Sequence, residues 1–182
     1  MDGGCLAGSH RPAAPAARDM VPVPTPFPNP AMTVQPESPD QPDVIALIAE
    51  LDAYQDTLYP PESRHSLGLP SLMQTNVLFF VARDDVSQAV GCGAVVLNSS
   101  YGEIKRMFVS PSRRGRGIAR ALLAALESAS ANAGCTLLRL ETGPFQPEAL
   151  AFYASCGYQR RPPFGKYFDD PLSVFMEKSL AA

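Results

Sequence analysis

The sequence predicts a single α/β (α+β) domain, built on a mixed and mostly antiparallel β-sheet that is flanked by helices. Three strand-like segments follow one another with short turns between them, which is typical of an antiparallel meander. A long helical segment then separates the third strand from a fourth, and this order predicts a parallel pair with a right-handed crossover. A length of 182 residues suits one domain with its own hydrophobic core.

Composition excludes several classes of protein. The chain is 46% hydrophobic and 18% charged with a net charge of -3, so a strongly basic nucleic-acid binder is not expected. No run approaches the roughly 20 apolar residues that cross a bilayer, and the N-terminus lacks the pattern of a signal peptide. The four cysteines are too widely spaced for a zinc or redox motif. We therefore expect a cytoplasmic protein without a metal or a membrane partner.

Residues 1–42 differ in composition from the rest of the chain. They are rich in Pro, Ala and Gly, and every second residue of Val21–Pro30 is proline. Proline removes backbone donors and fixes φ, so this segment is predicted to be a disordered tail. The alternative is a docking peptide for a proline-recognising domain. The folded domain is predicted to span residues 43–182.

The periodicity of apolar residues predicts the elements of that domain. An amphipathic helix begins at Asp43, which follows Pro42 and is expected to be its N-cap. Pro60 and Pro61 end the helical pattern in a loop, with a short helical piece near residues 67–72. The remaining predicted elements are strands 77–83, 89–97 and 102–109, helix 115–133, strand 136–141, helix 147–155, and strands 158–161 and 173–178.

The most informative segment joins the third strand of the meander to the long helix. Gly115 and Gly117 allow a sharp turn in which successive N–H groups point at one anion, and the helix N-terminus adds its dipole. Between Glu103 and Arg120 the sequence contains six basic residues and one acidic residue, Glu103. The turn is thus predicted to bind a phosphate group. The basic residues are Lys105, Arg106, Arg113, Arg114, Arg116 and Arg120.

Two motifs make this prediction more specific. The pattern Arg114-x-x-Gly117-x-Ala119 resembles the Arg/Gln-x-x-Gly-x-Gly/Ala cofactor signature of the GNAT superfamily of acyl-CoA-dependent N-acyltransferases. The later segment Gln146-x-x-Ala149-x-x-x-Tyr153-x-x-x-Gly157-Tyr158 is similar to that family's Asn-x-x-Ala, Tyr and Gly-Phe segment. Gln146 and Tyr158 depart from the usual Asn and Phe. The resemblance covers roughly residues 43–178.

The resemblance implies a sheet with a splayed parallel pair and acetyl-CoA as acyl-donor cosubstrate, with no metal. It implies that the backbone of Met107, Phe108 and Val109 pairs with the pantetheine arm. Gln146 and Tyr153 would also contact the cofactor. The pyrophosphate would be held by Arg114 and by the backbone of Gly115, Arg116, Gly117, Ile118, Ala119 and Arg120.

The implied activity is transfer of an acetyl group to a primary amine of a small molecule or amino acid. The alternatives are a protein N-terminal or lysine acetyltransferase and a non-catalytic acyl-CoA-binding module. Tyr153 is the implied general acid, whereas Glu103 and Glu141 are both candidates for the general base. For the acceptor, Glu62, Asp169 and Asp170 could attract a cationic amine, and Arg64 and His65 could equally bind a carboxylate. Dimers are frequent in the family, and the sequence leaves a homodimer open.

Overall fold

The computed structural model describes Met1 and residues 32–180, so most of the predicted tail lies outside the described residues. Seven strands form one sheet in the order β1-β2-β3-β4-β5-β7-β6. The strands are β1 (Thr33–Pro36), β2 (Val77–Arg83), β3 (Ala89–Leu97), β4 (Gly102–Val109), β5 (Leu137–Thr142), β6 (Gln159–Arg161) and β7 (Val174–Ser179).

The helices cover both faces of this sheet. Buried side chains of α1 and α2 form one apolar cluster with β2, β3 and Phe108, and those of α3 and α4 form a second cluster on the opposite face. No helix in the described part of the chain is long and apolar enough to cross a bilayer. The helices are α1 (Pro42–Asp56), α2 (Leu69–Leu72), α3 (Ile118–Asn132) and α4 (Pro147–Ser155), with 3₁₀ turns at Pro61–Ser63 and Pro111–Arg113.

The pairing of β4 with β5 is parallel and short. It runs from Gly102 opposite Leu138 to Ile104 opposite Leu140, and every other strand pair is antiparallel. Beyond Ile104, the edge of β4 that faces β5 has no strand partner among the described residues. The predicted fold, a mixed and mostly antiparallel sheet with one parallel pair and flanking helices, is confirmed.

Two details near the start of the domain differ from the sequence prediction. Strand β1 lies within the predicted tail, where it pairs with β2 from Thr33 opposite Arg83 onwards. It is an edge strand, a place where proline is tolerated because one side needs no ladder hydrogen bond. Asp43 was also wrongly predicted as the N-cap of α1. Gln41 is the N-cap, and Asp43 lies in the first turn, where its carboxylate binds Arg83 at 2.6 Å.

Candidate active site

The glycine-containing turn exposes a row of backbone donors. Gly115 and Gly117 adopt positive φ values of 76° and 79°, and Gly117 is the N-cap of α3. The N–H groups of residues 115–117 donate to no other group within the described chain. The next three, at the first turn of α3, have no intrahelical acceptor either. This arrangement matches an anion-binding nest at a helix N-terminus.

The basic residues near this turn are not equivalent. Lys105, Arg106 and Arg113 are ion-paired with Glu103, Asp52 and Asp84 respectively. Half of the six positive charges are thus neutralised within the fold. The remaining three, which form no salt bridge among the described residues, are Arg114, Arg116 and Arg120.

Arg114 ties the turn to the end of β4. Its Nε donates to the Val109 carbonyl at 3.1 Å, and its guanidinium lies 5.7 Å from the ring centroid of Tyr54 and 5.9 Å from that of Phe108. The side chains of Phe108 and Val109 are buried in the two apolar clusters. Only the backbone of this part of β4 therefore presents polar groups along the unpaired edge.

Strand β4 contains a β-bulge that the sequence did not predict. The register with β3 shifts so that Gly93 opposes two residues, Arg106 and Met107. Arg106 has a φ of 56°, which is uncommon for a residue other than glycine. A bulge leaves one residue out of the ladder and turns the strand, and it moves the following side chains to the opposite face. Met107 accordingly packs against the α3 side.

A cavity opens where β4 and β5 diverge. Its walls are formed by the loop between α1 and α2, the middle of β4, the end of β5 and the first turns of α4. It brings together four of the predicted site residues, Met107, Glu141, Gln146 and Tyr153. Of the other predicted cofactor residues, Phe108 and Val109 lie at the end of β4 and the rest lie at the glycine turn and the start of α3, so β4 connects the cavity to the turn. The polar side chains that also line the cavity include Tyr59, Arg64, His65 and Lys105.

Glu141 lies in the wall of the cavity near the end of β5. Ser173 Oγ donates to Glu141 Oε1 at 2.9 Å. Burial raises the pKa of Glu141 above its usual value of 4.5, although Ser173 and the charge of Lys105 act in the opposite direction. A carboxylate with a raised pKa accepts a proton more readily, and it is therefore a better general base.

Glu103, the other candidate base, is held in a network of hydrogen bonds. Tyr167 donates to Glu103 Oε1 at 2.6 Å, and Lys105 Nζ lies 2.7 Å from the same oxygen. Lys105 Nζ also contacts the Tyr167 hydroxyl and the His65 carbonyl. The side chains of Glu103 and Lys105 are only 14% and 13% exposed. The Glu103 carboxylate therefore already has a cation and a donor as partners.

Tyr153 is buried but reaches the same cavity. Its ring lies 5.5 Å from that of Tyr158 and 5.2 Å from that of Phe152, within the apolar cluster beside α3. Burial raises the pKa of the Tyr153 phenol, so the hydroxyl holds its proton. Gln146 precedes Tyr153 by about two helical turns and is the N-cap of α4. Its Oε1 is 3.4 Å from Thr142 Oγ1.

Tyr59 joins the loop after α1 to the turn between β5 and α4. Its hydroxyl accepts the Phe145 N–H at 3.0 Å, and the two rings stack with centroids 5.7 Å apart. The ring fits because residue 143 is glycine, since a Cβ there would lie 2.0 Å from the hydroxyl oxygen. Neither this contact nor the ion pair of Arg106 can be predicted from the sequence. Gly143 by itself indicates only a turn, and Arg106 indicates only a positive charge.

Comparisons with known proteins identify the family of this fold. The acetyltransferase (GNAT) domain family matches residues 75–160. An "IAA acetyltransferase" of Azospirillum brasilense is 47% identical over 153 residues, which cover 83% of this chain and 99% of the relative.

Solved structures share the fold as well. A candidate acyl-CoA N-acyltransferase of Klebsiella pneumoniae, 42% identical, matches with a TM-score of 0.71 over 82% of this chain and 98% of its own. The PaiA N-acetyltransferase of Thermoplasma acidophilum, solved with coenzyme A, is 19% identical and matches with a TM-score of 0.67 over 82% and 99%.

This chain therefore belongs to the GNAT family of N-acetyltransferases. It is an acyltransferase enzyme, and the acceptor of the acyl group is the part of its function that sequence relatives leave open.

Proposed function

We propose that this enzyme transfers an acetyl group from acetyl-CoA to the primary amine of a small molecule or amino acid. The observation that carries the proposal is the connection, along β4, of an anion-binding turn to a cavity lined by the half-buried carboxylate of Glu141 and the buried phenol of Tyr153. The pyrophosphate of the cofactor suits the turn, and its extended arm suits the unpaired edge of β4.

Several chain groups would hold acetyl-CoA in this arrangement. The N–H groups of residues 115–120 would bind the pyrophosphate together with Arg114 and Arg116, and the backbone of residues 107–109 would pair with the pantetheine arm. When bound, acetyl-CoA supplies the activated thioester. The Met107 N–H, beside the bulge, would stabilise the negative charge that develops on the acyl oxygen.

Glu141 is the proposed general base. An ammonium group must lose a proton to become a nucleophilic amine, and Glu141 lines the cavity with a pKa raised by burial. Glu103 is less suited because Lys105 and Tyr167 occupy its carboxylate. Tyr153 is the proposed general acid, whose phenol would give its proton to the leaving thiolate.

The side chains that line the cavity favour a small acceptor that carries both an amine and an acidic group. Glu141 would receive the amine, while Arg64 and His65 lie on the facing loop. The name of the Azospirillum brasilense relative, "IAA acetyltransferase", is consistent with a small-molecule acceptor.

The cofactor part of the proposal is tested by a matched pair of glycine variants. Gly117 and Gly134 have φ values of 79° and 81° at opposite ends of α3, and a Cβ would meet nothing within 4 Å at either position. Gly117→Ala and Gly134→Ala should therefore cost a similar stability, about 1–2 kcal/mol. Only Gly117→Ala should weaken acetyl-CoA binding, roughly 10-fold or more in calorimetry. Equal affinities for the two variants would refute the assigned turn.

The transfer part is tested by release of the CoA thiol across a panel of amines, amino acids and peptides. A small amine or amino acid should give the highest kcat/KM. Binding of acetyl-CoA without thiol release from any amine would instead indicate a non-catalytic binding module, and preference for peptides would indicate a protein acceptor.

A further inference from the structure

Arg106 is unusual because three separate features of the structure meet at it. It has a left-handed φ of 56°, its side chain is 5% exposed, and it occupies the bulge in the strand that faces the cavity. A backbone conformation of this kind is unfavourable for a residue with a Cβ and persists only where the surroundings enforce it.

The guanidinium of Arg106 is fixed by two partners outside the sheet. Its Nε donates to the Leu67 carbonyl at 2.8 Å, Nη2 contacts the same carbonyl, and Nη1 pairs with the Asp52 carboxylate of α1. Charged hydrogen bonds of this geometry are about twice as strong as neutral ones. The planar fork of arginine also sets the direction of the side chain, and with it the direction of the backbone that carries it.

The bulge also determines which way consecutive residues face. Lys105 and Arg106 both contact the loop before α2, through the carbonyls of His65 and Leu67. In a regular strand two consecutive side chains would lie on opposite faces. Met107 is accordingly rotated towards the α3 side, where Gly93 leaves room for its sulfur. The direction of the backbone at residue 107 thus depends on the conformation of residue 106.

We propose that Arg106 is a positioning residue of the reaction, whose guanidinium holds the β4 bulge and thereby aims the Met107 N–H at the acyl oxygen. This inference rests on the proposed function of that N–H. Arg106 itself does not touch the reacting atoms. Its contribution is expected in kcat rather than in cofactor binding, because the glycine turn and its arginines are separate from it.

The test compares two substitutions at one position. Arg106→Ala keeps the penalty of the left-handed backbone but removes the anchor, whereas Arg106→Gly removes the anchor and the penalty together. We expect Arg106→Ala to lower kcat about 10²-fold, within the range seen when an oxyanion donor is lost. The kcat of Arg106→Gly should be at least about 5-fold higher than that of Arg106→Ala. For both variants, the KM for acetyl-CoA should stay within about 3-fold of that of the unmodified enzyme.

Two further variants complete the experiment. Asp52→Asn weakens the anchor at a residue whose side chain is 44% exposed, so it should fold and lower kcat by about 3- to 10-fold. Arg139→Ala is the matched control, because it removes an ion-paired arginine from the neighbouring strand without a left-handed backbone, and its kcat should equal that of the unmodified enzyme.

The inference would be overturned if Arg106→Ala left kcat unchanged, if the alanine and glycine variants had equal kcat, or if Asp52→Asn had no effect. A loss of kcat accompanied by an equal loss of acetyl-CoA affinity would likewise overturn it, since that is the result of general unfolding. Failure of the proposed function is a different outcome, in which the unmodified enzyme releases no thiol with any amine.

Discussion

The contact between Gly143 and Tyr59 allows a quantitative prediction. In Gly143→Ala, the new Cβ would lie 2.0 Å from the Tyr59 hydroxyl oxygen, 2.1 Å from Cζ and 2.5 Å from Cε1. An ordinary contact begins at 3.4 Å, so the ring must withdraw by about 1.4 Å, the difference between 3.4 and 2.0 Å. That shift breaks the 3.0 Å hydrogen bond from the Phe145 N–H and disturbs the stack at 5.7 Å.

The expected cost follows from these losses. The hydrogen bond contributes about 1 kcal/mol, the aromatic pair about 1 kcal/mol, and overpacking adds a similar amount. Gly143→Ala should therefore lower the free energy of unfolding by about 2–3 kcal/mol. Residue 143 does not have a positive φ, so alanine is not otherwise strained there. In a Tyr59→Leu background the obstructing atoms are gone, and the same substitution should cost less than about 0.5 kcal/mol.

Urea unfolding of the two single variants and the double variant measures this coupling directly. The double-mutant cycle should give an interaction of about 2 kcal/mol, at the upper end for residues in contact. Gly68→Ala is the control, because its Cβ would lie an ordinary 3.8 Å from Pro70. An equal cost of Gly143→Ala in both backgrounds would show that Tyr59 does not pack against this turn.

Three further predictions concern side chains with shifted pKa values. Glu141→Gln should lower kcat/KM by about 10²- to 10⁴-fold. Because burial raises the pKa of Glu141, the kcat/KM of the unmodified enzyme should also rise with pH through an inflection above 4.5. Both quantities are measured with one amine at saturating acetyl-CoA. Tyr153→Phe should keep the melting temperature within a few degrees but slow thiol release about 10²-fold, and an unchanged rate would exclude it as the acid. Arg83→Ala should cost about 2 kcal/mol in urea unfolding. Arg83 lowers the pKa values of Glu37 and Asp43, so this stabilisation is present above their usual values of 4.5 and 3.8 and is lost as pH falls below them. The difference in unfolding free energy between Arg83→Ala and the unmodified protein should therefore disappear in acid.

The elements that were predicted most accurately are those whose signals are local. Strands β2, β3 and β4 begin and end where expected because their apolar segments stop at polar turns. Helix α4 also matches, since Pro147 opens it and Gly157, with a φ of 90°, follows its end. Helix α3 begins at Ile118 rather than Gly115, because both glycines of the turn take left-handed conformations that no helix contains.

The features that could not be predicted depend on contacts distant in sequence. The Phe145 N–H and the Tyr59 hydroxyl are 86 residues apart in the chain, and nothing near Gly143 indicates an aromatic neighbour. The charge of the glycine turn was overestimated for the same reason. Asp52 and Asp84, which neutralise Arg106 and Arg113, lie outside the basic segment of residues 103–120.

The contacts of Tyr59 with the turn after β5, and of Leu67 and His65 with β4, all belong to one element, the loop of residues 57–68 between α1 and α2. On one side, Leu67 and His65 accept hydrogen bonds from Arg106 and Lys105 of β4 at 2.8 and 3.2 Å. On the other side, Tyr59 packs on the turn that follows β5. The loop therefore bridges the two strands at the point where they diverge, and it also forms a wall of the cavity. A loop substitution that changes acceptor choice is thus expected to change the geometry at β4 as well, so acceptor specificity and kcat should vary together.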